Sequence, residues 1–472
     1  MTNSITELKD HFDKFSETRD KFRNKGRYYH DYLENYLQFL IPEDASVLEL
    51  GCGTGHTLAK VGDKSKNTGI DISSEMIEQA RSNYPDMDFR LDNANDLQLN
   101  QTYDVILLIN TMGYLEDIQS ALESYHKVCH SDTRIIAIYF NYLWKPVLSL
   151  TEKLKLRMPG LERHWLPISD IENMFELADF EMIKYDFKVL LPAYIPLLSN
   201  FFNRFLANLP LFRKLALNSI FIARSRKQIS EEKESSVSVV VPCRNEEKNV
   251  EPAVQQIPTL GSHTEIIYVE GNSQDNTYQE CLRVQKSYPD SDIKVLQQDG
   301  KGKADAVYKG FDHASGEILM ILDGDLTVPP SDLTKFYNAI NSNKGEFING
   351  SRLVYDMEKE AMRPLNLLGN KFFSIVFSYL LSQRLRDTLC GTKVLRKKEF
   401  ERIKKGRSYF GDFDPFGDFD LLFGASKLNL KIVEIPIRYR SRSYGETQIS
   451  RFSHGWLLLK MVAFASRKIK FL

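Results

Sequence analysis

MILDGDLTVPP, Met320 to Pro330, closes an apolar run that climbs through Gly316-Glu317-Ile318-Leu319-Met320-Ile321-Leu322 and ends on Asp323-Gly324-Asp325. Residues i and i+2 of an extended chain face the same way. The two carboxylates are therefore expected to converge at the carboxyl end of a buried strand, with Gly324 leaving room between them. That edge is where open α/β sheets bind ligands. Like charges so close repel unless a cation lies between them, and hard divalent cations prefer carboxylate oxygens. A solvated turn before Pro329 and Pro330 explains the same residues, so the neighbouring stretches must choose.

They favour a ligand site. VSVVVPCRNEEKNV (Val237–Val250) reads as a buried strand, followed by Pro242, Asn245, Glu246 and Glu247 at a helix start. TEIIYVEGNSQDNT (Thr264–Thr277) gives a second strand ending on Glu270, with Asn272, Ser273 and Asp275 beyond it. QQDGKGKADAVYKGF places Gly300, Lys301, Gly302 and Lys303 at another helix start, a suitable place to meet a phosphate. Strand, acidic loop, basic glycine loop and paired carboxylates, in that order, can hold a nucleoside diphosphate and a bridging metal.

The first half carries a different loop. VLELGCGTGHTLAKV (Val47–Val61) runs from an apolar strand through Gly51, Gly53 and Gly55 into an expected amphipathic helix. The spacing is GxGxG with Glu49 upstream, not the GxGxxG of dinucleotide folds. A pyrophosphate has little use for Glu49, whereas a ligand with a sulfonium centre tolerates acidity nearby. NTGIDISSEMIEQAR then ends a second strand on Asp71, placed to accept from ribose hydroxyls, although an ordinary helix cap would look the same.

These residues resemble the class I S-adenosylmethionine-dependent methyltransferases from about Tyr28 to Arg224. The resemblance implies adenine contacts from Asp92 and Asn93, Met76 beneath the adenine ring, and Asn110 with Thr111 beside the methyl donor. For Met76, core packing is the alternative. His164 is a candidate base, with a structural histidine as the alternative. From Val237 to about Leu472 the chain resembles the family 2 glycosyltransferases of the GT-A fold. FINGSR, RDTLCGTKVLRK and IVEIPIRYRSRSYGETQISRFSHGW are similar to the polyprenyl-phosphate and dolichyl-phosphate branch. That implies inverting transfer from a nucleotide sugar, to a lipid-phosphate or glycan acceptor. Asp323 and Asp325 would hold magnesium or manganese. Pro242, Asn245, Glu247, Glu270, Asn272, Ser273, Lys301, Lys303 and Gly324 would surround the donor, and Arg440 and Arg442 would close over phosphates. Where many members read Asp-Asp-Gly-Ser, this chain has Glu270-Gly271-Asn272-Ser273, which leaves the base of the nucleotide open. FGDFDPFGDFDLLFGA offers Asp412, Asp414, Asp418 and Asp420 as the base, with Asp418 favoured and Asp420 beside it; a phosphate acceptor would need none.

Composition bounds this picture. The chain has 472 residues, 42% hydrophobic and 26% charged, with a formal net charge of -1. No global basic field points to nucleic acid. Five scattered cysteines, none spaced as CxxC, favour a reducing cytoplasm over a disulfide framework. The polar start MTNSITELKDHFDKF is no signal peptide, and nothing approaches the ~20 apolar residues of a spanning helix. RKQISEEKESS (Arg226–Ser236) reads as a linker between residues 1–225 and 237–472.

Two apolar helices, LNLLGNKFFSIVFSYLLSQRLR (from Leu365) and GWLLLKMVAFASRKIKFL (from Gly455), suit either burial or a peripheral membrane contact on the cytoplasmic face. For LLPAYIPLLSNFFNRFLANLPLFRKLAL (Leu190–Leu217), packing on its own domain is expected. A lid, an interdomain contact or a membrane-facing patch are the alternatives.

The expectation is thus an α/β chain of two domains, a Rossmann-like methyltransferase sheet followed by a GT-A fold. It would act as a bifunctional enzyme making a methylated glycan or glycolipid. A glycosyltransferase with a regulatory S-adenosylmethionine-binding module is the first rival, a nucleotidyltransferase and a non-catalytic scaffold the others.

Overall fold

The computed structural model describes residues 2–227, 234–355, 364–410, 417–440, 442, 444 and 451–471, with side chains described except at 2–4, 364–368, 418 and 451–454. The chain divides into two compact units, Met1–Ser230 with Phe471–Leu472, and Glu231–Lys470.

The first unit holds a seven-stranded sheet in the order β3-β2-β1-β4-β5-β7-β6. Its strands are β1 (Val47–Leu50), β2 (Thr68–Asp71), β3 (Asp88–Leu91), β4 (Tyr103–Ile109), β5 (Cys129–Phe140), β6 (Phe180–Lys188) and β7 (Asn218–Ser225). Alternate residues of β4 serve opposite cores: Ile106 and Leu108 pack on one face, Val105 and Leu107 on the other. Burial on both faces is why these strands read as continuous apolar runs. From β3 to β5 all pairings are parallel, but β7 runs antiparallel to both β5 and β6. The sheet is therefore mixed where alternation of strands and helices suggested a parallel one.

The expected helix after the glycine loop does not form. A single 3-10 turn, Leu58–Lys60, takes its place. Asn67 Nδ2 donates to the carbonyls of Leu58 and Val61, and Gly62 turns at φ +59°, so the segment is capped before a helix can propagate.

The second unit has its own seven-stranded sheet, β10-β9-β8-β11-β13-β12-β14. The strands are β8 (Val237–Cys243), β9 (Thr264–Glu270), β10 (Asp292–Gln297), β11 (Ile318–Ile321), β12 (Phe347–Ser351), β13 (Lys393–Arg396) and β14 (Ile432–Pro436). β10, β9, β8 and β11 are parallel, while β13 is antiparallel to β11 and β12. Val239, Val241, Met320, Ile348 and Val394 share its core. In both units the order of parallel strands reverses beside the first strand, the arrangement that opens a ligand crevice at the carboxyl edge.

Among the described residues no helix is long and apolar enough to cross a membrane. All five cysteines are buried and free.

Candidate functional sites

At the carboxyl edge of the first sheet, Gly51, Gly53 and Gly55 take φ values of +76°, +53° and +82°, a region that favours glycine. A side chain at Gly51 would meet Thr111 Oγ1 at 2.8 Å, and one at Gly55 would meet Phe89 Cζ at 2.6 Å. The loop is held from below by Asp71, whose Oδ2 accepts from Gly53 N (2.8 Å) and Oδ1 from Ser73 N (3.0 Å). Ser73, not Asp71, caps the helix that follows, accepting from Met76 N.

The loop borders a cavity of about 350 Å³, within the usual range for cofactor pockets. Glu49, Gly51, Gly53, Asp71, Met76, Asp92, Asn93 and Asn110 all line it; Gly55 does not. Asp92 also braces its own loop, accepting from Asn93 N and Gln98 N, and Asn93 Oδ1 accepts from Asn95 N. Met76 is buried, so lining and packing coincide in one side chain.

Two buried acceptors in this wall lack a partner, Glu49 Oε2 and Asn110 Oδ1. Such groups are costly unless a ligand satisfies them. Burial, with Glu34 and Asp71 nearby, pushes the Glu49 carboxyl up to about 8. Asn110 stands in the left-handed conformation (φ 58°), and its amide bonds the buried Tyr29 hydroxyl, which also accepts from Asn218 Nδ2 (3.1 Å).

Three contributors escaped the sequence reading. Arg19, on the first helix (Thr2–Lys25), reaches the cavity beside Gly53. That helix is fastened at several points. Asp13 Oδ1 accepts from Ser73 Oγ (2.6 Å), Asp20 accepts from Thr54 Oγ1 (2.8 Å) and lies 3.0 Å from His56 Nε2, and Arg23 pairs with the buried Glu34 (2.6 Å). Tyr29 and His30, on the next helix (Arg27–Leu40), line the cavity too. Burial, aided by Arg19 and Arg23, pushes the His30 imidazole well below its ordinary range, so it is neutral near pH 7. His164 instead directs Nε2 at the Leu115 carbonyl (3.0 Å) and is not part of the cavity wall. Only a signal for a folded-back amphipathic helix, Leu8-Phe12-Arg19-Phe22-Arg23, could have found this wall.

The second site lies at the carboxyl edge of β8, β9 and β11. β11 ends at Ile321, so Asp323-Gly324-Asp325 is a turn and not the extended segment expected. Gly324 is closely packed there: a side chain at this position would lie 2.9 Å from the Pro242 carbonyl oxygen. The carboxylates accordingly take different partners. Asp323 bonds Lys303 Nζ at 2.6 Å, and Asp325 Oδ2 bonds Arg442 Nη2 at 2.7 Å while Oδ1 accepts from Thr327 N and Oγ1. Burial opposes ionisation of Asp323, but Lys303, with Lys393 and Arg352, outweighs it and holds the carboxyl below its usual range.

The flanking loops knit together. Asn245 N donates to Ser273 Oγ (3.0 Å), Asn245 Oδ1 accepts from Gln274 N (2.7 Å), and Glu270 Oε1 accepts from Ser273 N (2.5 Å). Asn245 and Asn272 are both left-handed. Glu247 begins a short 3-10 turn, and its N–H lies 3.4 Å from Asp275 Oδ2. Lys303 starts its helix beside Gly302 (φ +87°), and Lys301 is exposed just before it. Glu246, passed over in favour of Glu247, belongs to the charged group: Arg442 Nη1 lies 3.8 Å from its Oε1. Burial, with Asp325 and Asp275 nearby, raises its carboxyl to about 7 against the opposing pull of Asn249 and Arg442.

Arg440 is exposed, and its N–H donates to the Thr327 carbonyl (2.9 Å), which brings the segment after β14 against the acidic turn. Asp420 is buried against Arg407 (Nε–Oδ2 3.0 Å), and Arg407 lies over the Tyr308 ring. Asp412 and Asp414, the Asp418 side chain, and Gly445, Glu446 and Thr447 lie outside the described residues.

Among the described residues no three His, Cys, Asp or Glu side chains form a metal cage. The donor set here suits a hard cation that takes one or two carboxylates and completes its shell with phosphate oxygens and water. Beside this site a hollow of about 240 Å³ is bordered by Ser351, Arg384, Arg386 and Glu434.

Comparison with known proteins follows the two-unit division. Residues 22–185 match the methyltransferase-domain family profile, and residues 238–403 match that of glycosyl transferase family 2. Over 249 residues the chain is 28% identical to the dolichol-phosphate mannosyltransferase of Pyrococcus furiosus, covering 50% of this chain and 67% of that one. It is 24% identical over 225 residues to the glycosyltransferase AglJ of Haloferax volcanii (47% and 69% covered), and 27% identical over 233 residues to the dolichyl-phosphate beta-glucosyltransferase of Saccharomyces cerevisiae (44% and 68%). Among solved structures, a methyltransferase from Thermotoga maritima aligns at 14% identity and TM-score 0.36, over 46% of this chain and 100% of that one. The glucosyl-3-phosphoglycerate synthase of Mycobacterium tuberculosis aligns at 15% identity and TM-score 0.38, over 50% and 80%.

Proposed function

From a chain that joins a methyltransferase domain to a family 2 glycosyltransferase domain related to the dolichyl-phosphate glycosyltransferases, we propose one bifunctional enzyme. Its first unit transfers methyl from S-adenosylmethionine. Its second transfers a sugar from a nucleotide donor, with inversion, to a lipid-phosphate or glycan acceptor. What supports this is that each unit independently gathers unbalanced polar groups at the carboxyl ends of its parallel strands: the unsatisfied Glu49 and Asn110 oxygens in one, the cation-capped Asp323 and Asp325 in the other.

In the first unit, S-adenosylmethionine supplies an electrophilic methyl group when bound. Glu49 and Asn110 offer acceptors to its cationic amino-acid end, and Asp71 offers one to the ribose. The acceptor enters beside Tyr29; as its oxygen or nitrogen bonds the methyl carbon, the methyl–sulfur bond breaks, the electron pair stays on the departing thioether sulfur, and neutral His30 takes the acceptor's proton. The wall beyond the loop, with Phe140, Leu148, Met158 and Leu217, gives that acceptor room. This space favours catalysis over a purely regulatory cofactor site.

In the second unit, Asp323 and Asp325 would hold magnesium or manganese, which supplies positive charge to a departing diphosphate when bound. Lys303 and Arg442 are paired to those carboxylates and stand ready to turn toward phosphate oxygens. The acceptor oxygen bonds the anomeric carbon as the bond to the diphosphate breaks, and the electron pair leaves with the nucleotide. A phosphate acceptor arrives already ionised; Arg384 and Arg386 flank a hollow suited to it, and Asp418 is the proposed base for a hydroxyl acceptor. We place the protein in the cytoplasm, peripheral to the membrane. Nucleotide sugars screened by thermal shift with and without manganese test the second unit, and S-adenosylmethionine tests the first.

A further inference from the structure

Residues 189–217, between β6 and β7, turn the usual polarity of a protein surface inside out. Three of their polar side chains are buried: Ser199 and Asn203 are 0% exposed and Asn208 1%. Many of their large apolar side chains face outward, with Leu197 at 87% and Leu211 at 81%. The buried amides account for this. Asn203 Oδ1 accepts from the N–H groups of Leu190 and Leu191, its Nδ2 donates to the Leu191 carbonyl and the Tyr28 hydroxyl, and its own carbonyl accepts from Tyr32. Asn208 Nδ2 donates to the Arg204 carbonyl and its Oδ1 accepts from the buried Lys188. The backbone is thus fixed from within while leucine and phenylalanine are presented to the outside. Packing on its own domain, the default expectation, describes the polar side chains together with Val189, Ala207, Ala216 and Leu217, but not the exposed leucines and phenylalanines.

A second element extends the face. On the helix Lys145–Lys153 and its two flanks, Leu143, Val147, Leu150 and Leu154 recur at helical spacing and all are exposed. The two elements adjoin: Asn141 Nδ2 donates to the carbonyls of Lys214 and Ala216, and Trp144 Nε1 to that of Leu215. An apolar expanse of this kind is rare on a soluble surface unless something covers it.

Charge selects the occupant. Residues 189–217 contain no Asp or Glu, and Lys145, Lys153, Lys155, Arg204 and Lys214 are exposed among the apolar side chains. Across the helix the acidic Glu152 is neutralised by Arg157. Apolar side chains interleaved with cations and free of net acidity match an anionic lipid surface. The cavity reaches the same face, since Leu156 lines it and is 55% exposed, and Pro192 and Leu148 from the two elements also line it.

We propose that this face of the first unit docks on an anionic lipid surface and that the methyl acceptor enters its cavity from the lipid side. The docking stands on the surface alone; the acceptor's origin rests on the methyl-transfer reading of the cavity.

The test is flotation of the full chain with phosphatidylcholine vesicles, with and without phosphatidylglycerol. Wild type should float with the anionic vesicles, and Leu197→Glu/Leu211→Glu should bind at least tenfold more weakly. The thermal shift given by S-adenosylmethionine should stay the same, which shows that the unit is folded and its cavity intact. Ile375→Glu, on the exposed side of the Pro364–Leu381 helix of the second unit, separates the two units' contributions. Docking by the first unit is overturned if the double variant floats like wild type, or if Ile375→Glu alone abolishes flotation. It is equally overturned if wild type stays in solution and the double variant lowers the sedimentation mass, which makes the face a contact between copies. With methyl-labelled cofactor and a membrane extract, label should enter the organic phase; label confined to the aqueous phase overturns the lipid-borne acceptor and leaves the docking result standing.

Discussion

Arg442 Nη2 sits 2.7 Å from Asp325 Oδ2, and its Nη1 lies 3.8 Å from Glu246 Oε1. One guanidinium thus closes over the carboxylate on which a metal would depend, so cation and arginine compete for Asp325. A nucleotide sugar at 100 times its Kd should add about 2.7 kcal/mol to the stability of the second unit. This gain is expected only with manganese or magnesium present, and Asp325→Ala should abolish it. A metal-independent shift that survives in the variant would refute the assignment of Asp325.

Glu246 makes the same cluster sensitive to pH. Its carboxyl is raised to about 7, chiefly by burial, so the folded state holds a proton that the unfolded chain gives up near 4.5. The stability it contributes is present below the unfolded value and lost as pH rises through about 7. Glu246→Gln should flatten the melting temperature of the second unit over that window, measured against pH in wild type and variant.

In the first unit, Glu49 is protonated below about 8 when no ligand is bound. A cationic ligand favours the carboxylate, so S-adenosylmethionine binding should release a proton. Affinity should rise with pH toward 8, approaching tenfold per unit as the limit for one proton, and then level off. Calorimetry in two buffers of different ionisation enthalpy counts that proton, and Glu49→Gln should erase both the proton and the slope.

His30→Gln should lower methyl transfer on the order of a hundredfold, the usual contribution of a positioned base. S-adenosylmethionine affinity should change less than the rate does. His164→Gln should leave the rate near wild type. Equal losses in both variants would remove the distinction.

Arg352 donates to Asp387 through Nε (2.6 Å) and Nη2 (2.8 Å), and both side chains are nearly or wholly buried. Burial opposes the Asp387 charge, but Arg352 more than compensates and holds the carboxyl below its ordinary range. Asp387→Asn strands the guanidinium and should cost roughly 3 kcal/mol or more, read from urea unfolding at pH 7.

Much of this architecture was written in short runs of sequence. VLELGCGTG and VSVVVP announce their strands because both faces of each sheet are buried and the pattern is continuous. The glycine loop, Asp71, and the adjacency of the acidic turn to Lys303 could be placed because they follow strands directly. What could not be read depends on distant partners. Nothing local ties Arg19 to Gly53, and Asn67 stops a helix by reaching back to Leu58. The crowding at Gly324 comes from the Pro242 carbonyl, a neighbour only in the folded sheet. The pairing of Asp420 with Arg407 likewise has no local signal. The apolar segment 190–217 misled for a different reason: sequence shows which side chains are apolar, while the buried asparagines decide which way they face.

The first helix carries a kinetic consequence. It contributes Leu8, Phe12, Arg19, Phe22 and Arg23 to the cavity wall, and its seat is secured through Asp13, Asp20 and Arg23. On the methyl-transfer reading, a cofactor passing that side of the cavity would need these bonds to open, so an element outside the glycine loop would bear on how long a product stays. Trimming the chain ahead of Gly26 should then strip that side of the cavity of its cover and weaken the grip on S-adenosylmethionine.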